Sequence, residues 1–488
     1  MTTQAVIHLS LISHTNIGKT SLARTLLGED VGEVEDQTHT TLAATGYPLI
    51  DSPGAGRLLL WDTPGFGDSV RLLKRLRREG NPIGWFLSQV WDRLLDSPFW
   101  LTQQAVANVR DQADLVLYLV NAAEPPQDAG YLNPELDVLG WIGKPVIVLL
   151  NQSGAPRPAE ATAAEVAQWR THLANRDLVK AVLPLDAFTR CWVQEFTLLR
   201  SLGQALPEAR QADFAAMASV WKQRRQAQFK QAMAALARPI AEAVRDHVPL
   251  PDSSLVERLG RWLGVAAAGD RKAMAAAIET LAQRLEQHLR ASTEALIEIH
   301  QLKGKAAQEL RADLSDAVAR DLPVDAAATG VISAILSGAV GGLGADLMAG
   351  GLTFGGGMLA GAILGGLGAT GIAKGVNLMR GAGAPQLRWD DHFLNGLVIS
   401  GLVRYLSVAH AGRARGEWQP GQVPAFWLTA VSQVVSEHQG RLDALWKNRE
   451  DVGGEGVQET ELTRLLDVMA RQLLGRLHPD HPVDWPNA

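Results

Sequence analysis

An α/β domain built on a parallel-rich sheet with helices on both faces, followed by a mainly α-helical domain, is the fold class this sequence predicts. Three observations predict it. Over residues 1–203 short apolar, β-rich runs alternate with helical patterns. From about residue 204 that alternation stops, and Ala, Gln, Glu, Arg and Leu recur at helical spacing, as in ARQADFAAMASVWKQRRQAQFKQ. Residues 326–373 differ from both: Asp346 is the only ionisable residue and 15 of the 48 positions are glycine, which predicts an apolar helical hairpin. With 47% hydrophobic and 20% charged residues in 488, the chain is long and apolar enough for two to four packed cores.

The elements follow in order. QAVIHLSLI, TLAATGYPLI, GRLLLWDT, ADLVLYLVNA, KPVIVLLNQ and VKAVLPLD are the strand candidates, and four of them are nearly continuous apolar runs, as buried parallel strands are. The domain boundaries drawn from this pattern are 1–203 and 204–488. Pro249 and Pro251 split the helical region into at least two long stretches. Helical patterns return after Arg388, with DVGGEGVQ read as a loop.

The totals narrow the function classes. A net charge of -6 gives no global positive field for nucleic acid, so nucleic acid is not an expected partner. Cys191 is the one cysteine, which excludes an internal disulfide, and its sequence neighbours suggest no metal cage. The histidines are scattered, and HPDHPVDW near the end reads as a polar tail rather than a metal tract. The stretch MTTQAVIHLSLISH lacks a signal-peptide pattern, so the cytoplasm is the expected location of the first domain.

The chemistry lies in SHTNIGKTSL. Gly18, Lys19 and Thr20 keep the end of a phosphate-binding loop, G-x-x-x-x-G-K-[ST], while Ser13 replaces its first glycine. Lysine charge meets the β- and γ-phosphates, a Thr20 hydroxyl ligates Mg2+, and the N–H groups of His14, Thr15, Asn16, Ile17 and Ser21 are candidates to cradle phosphate. The His14 side chain itself is expected to face solvent. In DTPGFGDS, Asp62 ends an apolar strand and is the second metal candidate, and the Gly65 N–H is placed to meet a γ-phosphate. Thr40 or Thr41 is the expected further metal hydroxyl, with Thr38 an outside candidate.

These motifs together, N-x-G-K-[ST], the Thr-Thr pair and D-T-P-G, resemble the Era-like class of bacterial translation-factor-type GTPases over roughly residues 4–200. The layout is similar to a bacterial GTPase family whose second domain has no known function. The resemblance implies GTP/GDP binding with Mg2+, weak intrinsic hydrolysis, and potassium as a further cofactor through Asn16. The base motif N-K-x-D departs from the pattern, since Asn151 is followed by Gln152, Ser153 and Gly154. A lost hydrogen bond to a charged acceptor costs about 1.5–3 kcal/mol, so guanine preference should weaken by about 10-fold or more. ATP therefore stays an alternative. The Ala187 N–H in LDAF is placed to reach the guanine O6. Phe66 stands where a water-orienting glutamine follows the glycine in Ras-type enzymes, so no catalytic residue is assigned and turnover should be slow.

Two stretches bear on partners. The switch-region insertion 70–105 sets Arg71, Lys74, Arg75, Arg77 and Arg78 beside a stripe of Leu72, Leu73 and Leu76, followed by Trp85, Trp91 and Trp100. It reads either as a docking surface for a helix or an anionic membrane, or as a solvated basic helix lying on the second domain. In 326–373, small residues recur at every fourth position (Ala326, Gly330, Ala334, Gly338, Gly342; Gly357, Gly361, Gly365), which lets two helices approach closely. That predicts membrane association at the cytoplasmic face of the inner membrane, peripheral or integral. A buried soluble hairpin and a self-association surface read the same way. The rival role is a soluble assembly or ribosome-associated switch with a helical partner-binding module, and a third is a protein that keeps nucleotide for stability alone.

Overall fold

A computed structural model describes residues 4–32, 43–67, 69–77, 82–88, 97–187, 190–249, 268–302, 376–380, 385–412, 423–448 and 455–483. The chain divides into two compact units, Met1–Ala227 with Ala409–Trp418 and Leu477–Ala488, and Gln228–Val408 with Gln419–Arg476.

In the first unit six strands form one sheet: β1 (Val6–Ser13), β2 (Thr45–Ser52), β3 (Gly56–Asp62), β4 (Leu115–Asn121), β5 (Val146–Asn151) and β6 (Val179–Pro184). Their order is β2-β3-β1-β4-β5-β6. All neighbours are parallel except β2, which pairs antiparallel with β3 as a hairpin. The apolar runs predict this placement, because β5 is buried at every position and β4 at all but its last. The order puts the carboxyl ends of β1, β3 and β5 on one edge of the sheet. In open α/β sheets that edge carries the ligand crevice.

The helices of this unit are α1 (Lys19–Leu27), α2 (Ser69–Leu76), α3 (Pro82–Ser88), α4 (Ser97–Asp111), α5 (Leu132–Ile142), α6 (Ala159–Leu173) and α7 (Trp192–Ala205). The leucine stripe of the insertion is covered by the first unit itself rather than by the second domain. Leu72 and Leu76 on α2 join the unit's own core with Phe66, Ile83, Phe86 and Phe99. Burying a leucine is worth about 1.5–3 kcal/mol, and that area is already covered. Arg71, Lys74 and Arg77 stay exposed: Arg77 pairs with Asp137 at 3.0 Å, and Arg71 lies over the Phe99 ring. Trp85 packs partly buried on the same core, while Trp91 lies outside the described residues.

The second unit is helical around a small sheet. It takes residues from α8 (Glu208–Arg245), α9 (Ala268–Ile299), α10 (Asp391–Ala409), α11 (Ala425–Glu437), α12 (Gln439–Lys447) and α13 (Glu455–Leu477). The three-stranded antiparallel sheet β7 (His247–Pro249), β9 (Pro385–Trp389), β8 (Val376–Arg380) was not expected from the helical pattern; three- and five-residue strands are too short to show alternation. Residues 455–458 of DVGGEGVQ, read as loop, open α13 instead. Helix α10 is the one described helix long and apolar enough to cross a membrane, and 67% of that stretch is buried, as in a core helix. Its Tyr405 meets Phe229 edge-to-face, and Arg404 donates to Thr293 Oγ1 at 3.0 Å, tying α10 to α9. The segment 326–373 lies outside the described residues.

Two sequence readings are corrected in the first unit. Cys191 has metal-type neighbours after all, His410 and His478, contributed by distant stretches of chain. The HPDH tract is not a free polar tail either, since His481 bonds Thr197 Oγ1 at 2.9 Å.

Candidate nucleotide site

The loop after β1 turns by left-handed backbone at Asn16 (φ 64) and Gly18 (φ 86), and α1 begins at Lys19. Only glycine fits at 18, since a Cβ there would lie 2.9 Å from Asn151 Nδ2. Ser13, at the first-glycine position, closes β1 in extended backbone and gains a role the sequence did not disclose. Its Oγ accepts from Lys19 Nζ at 3.1 Å and donates to His14 O at 2.5 Å.

The DTPG segment is strapped to this loop. Phe66 N–H donates to Ser13 O at 2.9 Å, Thr15 N–H to Phe66 O at 3.2 Å, and Thr15 Oγ1 to Phe66 O at 2.8 Å. Gly65 sits so close that a Cβ would stand 3.0 Å from Thr15 Cα and 3.1 Å from Lys19 Nζ. Phe66 is buried in the core, so its ring faces away from any reacting water.

Thr20 Oγ1 donates to Asp62 Oδ2 at 2.7 Å, and Asp62 Oδ1 is buried with no partner. A buried, half-satisfied carboxylate beside a hydroxyl fits a hard, oxygen-seeking cation such as Mg2+. Burial pulls the Lys19 ammonium below its ordinary range, opposed by Asp62 and Glu135. Burial likewise pushes the Asp62 carboxyl up, opposed by the Thr20 hydroxyl, Lys19 and Arg24. Each desolvated charge is relieved by a partner of opposite sign: phosphate for the lysine, a cation for the aspartate. Thr38, Thr40 and Thr41 lie outside the described residues.

At the base end, Asn151 holds the loops rather than facing open space. Its Nδ2 donates to Ile17 O at 2.6 Å, and its Oδ1 accepts the Ala187 N–H at 2.8 Å. The N–H expected to reach guanine O6 is therefore committed within the protein, and Ala187 is fully buried. Gln152 (φ 60) donates from Nε2 to Asn16 O at 3.3 Å, and Ser153 N–H donates to the buried Asp186 carboxylate at 2.5 Å. Around Gly154 there is open space where the usual carboxylate would stand.

One functional candidate escaped the sequence reading. Glu135 on α5 is fully buried, accepting from Tyr118 Oη at 2.8 Å and Ser69 Oγ at 3.0 Å, and its Oε1 lies 2.7 Å from His14 Nδ1. His14 is stacked on Tyr131, so its side chain is not the solvent-facing group expected. Burial raises the Glu135 carboxyl, with His14, Tyr118 and Ser69 opposing. The carboxylate joins the phosphate loop to the first residue of α2. The only sequence signal was an acid on the apolar face of LNPELDVL.

Comparison with known families follows from this geometry. The profile of the family described as Domain of unknown function (DUF3482) matches residues 170–456, more than half of the chain. The chain belongs to this family. A second profile, described as 50S ribosome-binding GTPase, matches residues 8–152, which contain every described phosphate and metal candidate. The first domain of this DUF3482 protein thus matches a P-loop GTPase domain. No curated protein matches the chain. Among solved structures, Era in complex with MgGDPNP and a 16S ribosomal RNA segment is 18% identical over 42% of this chain and 58% of its own, with TM-score 0.30. An Aquifex aeolicus Era variant bound to GDP and AlF4− is 20% identical over 42% and 57%, also at 0.30. A bacterial selenocysteine-specific elongation factor is 17% identical over 41% and 28%, at 0.26. The chain spans less than two thirds of the length of each, and overlaps this loose decide nothing about its role.

Proposed function

We propose that the protein is a magnesium-dependent GTP switch of the Era-like kind, slow in intrinsic hydrolysis and attached to a membrane through residues 326–373. The observation that carries the switch is the Lys19–Thr20–Asp62 cluster with its unpartnered Asp62 Oδ1, directly against Gly65. Thr20 and Asp62 would hold Mg2+, which when bound supplies charge neutralisation for the β- and γ-phosphates. Lys19 adds the second positive charge, and the Gly65 N–H distinguishes a triphosphate from a diphosphate. Slow turnover is supported by Phe66, whose ring is buried and cannot orient water. Asn16, in left-handed backbone beside the loop, keeps potassium within the proposal. The boundaries 1–203 and 204–488 remain our reading of where the switch ends and the helical module begins.

The membrane arm rests on composition alone: a nearly uncharged segment flanked by Arg320 and Lys374 with small residues at fourfold spacing. Two experiments test the proposal. Single-turnover GTP hydrolysis by the full chain should stay below about 1 s−1, and a faster rate contradicts the slow switch. Fractionation of the full chain against a form lacking 326–373 should move only the full chain into membranes. Both forms remaining soluble with GTP and with GDP ends the membrane arm and leaves a soluble switch.

A further inference from the structure

Three side chains far apart in sequence meet at the start of α7. Cys191, His410 and His478 place their ligand atoms within 4.8 Å of one another, the one such group of Cys and His among the described residues. All three belong to the first unit. His410 Nε2 and His478 Nε2 face each other at 2.8 Å, and their rings stack at 5.1 Å. Cys191 is fully buried and His410 nearly so. We propose that this trio is a transition-metal site for a borderline-soft divalent ion, with zinc the expected occupant.

The donor chemistry selects the class of ion. One thiolate and two imidazoles suit Zn2+ and exclude Mg2+ or Ca2+, which require oxygen ligands. Tetrahedral bonds of about 2.0–2.3 Å hold ligand atoms about 3.3–3.7 Å apart. The three atoms straddle that spacing, so small side-chain adjustments close the site. The fourth position falls to solvent or an incoming ligand.

Burial pushes the Cys191 thiol up to about 12, so the bound cation itself would have to stabilise the thiolate, helped only in part by the helix start and Arg190. Cys191 directly precedes the first turn of α7, and the backbone N–H groups of Trp192 and Val193 donate to its sulfur, with the Arg190 guanidinium adjacent. Arg190 and Arg225 both pair with the Glu195 carboxylate beside this turn. In the metal-free arrangement one of the facing Nε2 atoms must carry the proton between the rings. On metal binding that proton moves to the Nδ1 of its own ring, the thiol proton leaves to solvent, and one proton is released per ion.

The position gives the site a consequence. Cys191 lies four residues after Ala187, whose carbonyl accepts from Thr25 Oγ1 and whose N–H is held by Asn151. Arg190 also donates to Thr25 O. An ion here would fasten the stretches carrying His410 and His478 to the segment that follows the base loop.

Cobalt titration of the chelator-stripped full chain tests this. One equivalent of Co2+ should give the thiolate-to-cobalt charge-transfer band and the strong d–d bands of a tetrahedral ion, and Zn2+ should erase both. Cys191→Ser should abolish the charge-transfer band, and His478→Gln should weaken binding by about 10- to 100-fold. Lys19→Ala should bind cobalt as the natural chain does, which separates this site from the nucleotide reading. If the folded natural chain takes up Co2+ and Zn2+ without a thiolate band, or takes up neither, the proposal is overturned. That result needs no variant to fold.

Discussion

The two ends of the nucleotide site differ in kind. At the phosphate end, Lys19, Thr20, Asp62 and Gly65 meet within hydrogen-bonding or van der Waals reach, with one buried carboxylate oxygen, Asp62 Oδ1, that has no partner inside the protein. At the base end the polar groups are satisfied internally: Asn151 by Ile17 and Ala187, Asp186 by the Ser153 N–H. The difference shows where binding energy must originate. Phosphates and metal supply charge that relieves desolvated groups, while the base meets a frame already closed on itself and lacking its carboxylate at Gly154.

The largest effect that would break this contrast is at Lys19. Replacing it with Ala should lower GTP affinity by about 100-fold, the worth of a charge-assisted hydrogen bond in a dry site. Titration of labelled GTP reads it, and an unchanged affinity would erase the phosphate end's advantage. Next comes Gly65→Ala, whose Cβ would press on Thr15 and Lys19. It should weaken GTP by about 10-fold while leaving GDP within about twofold; equal losses for both nucleotides would remove Gly65 from the γ-phosphate. Gly154→Asp sharpens the base end. There is room for the side chain, although φ +82 charges about 1–2 kcal/mol for it. GTP should then gain over ATP by about 10-fold or more, and no gain would mean that the frame reads the base elsewhere.

The smallest effect concerns Glu135. Burial raises its folded-state pKa above the ordinary carboxylate value that it keeps when unfolded. Between those two values the folded chain binds more protons, so stability contributed by the protonated acid is full below the unfolded value and is lost as pH rises through the folded one. Glu135→Gln cannot ionise, so urea midpoints of the variant should fall less than those of the natural chain from about pH 4 upward. Parallel pH curves would contradict the assignment.

What could be read from sequence divides along the same line. Six strands and the phosphate loop were legible because each is a contiguous pattern: apolar runs of the right length, and glycine, lysine and threonine at fixed spacing. Asp62 was legible because it ends such a run. Ser13 as a hydroxyl partner of Lys19, Glu135 as a buried link to His14, and the meeting of Cys191 with His410 and His478 were not, since each depends on residues that only folding brings together. The strands β8 and β9 were missed because five residues beside a long helical pattern carry too little periodicity. Ala187 was misread because its N–H has two possible acceptors, and only the packed loop shows Asn151 in possession.

The account stands most directly on calorimetric titration of the full chain with GTP, with Mg2+ and again with chelator in its place. One GTP per chain, bound at least about 10-fold more tightly with the ion, with that advantage lost in Asp62→Asn, is the expected result. Binding that ignores both the ion and Asp62, or no binding at all, would contradict it.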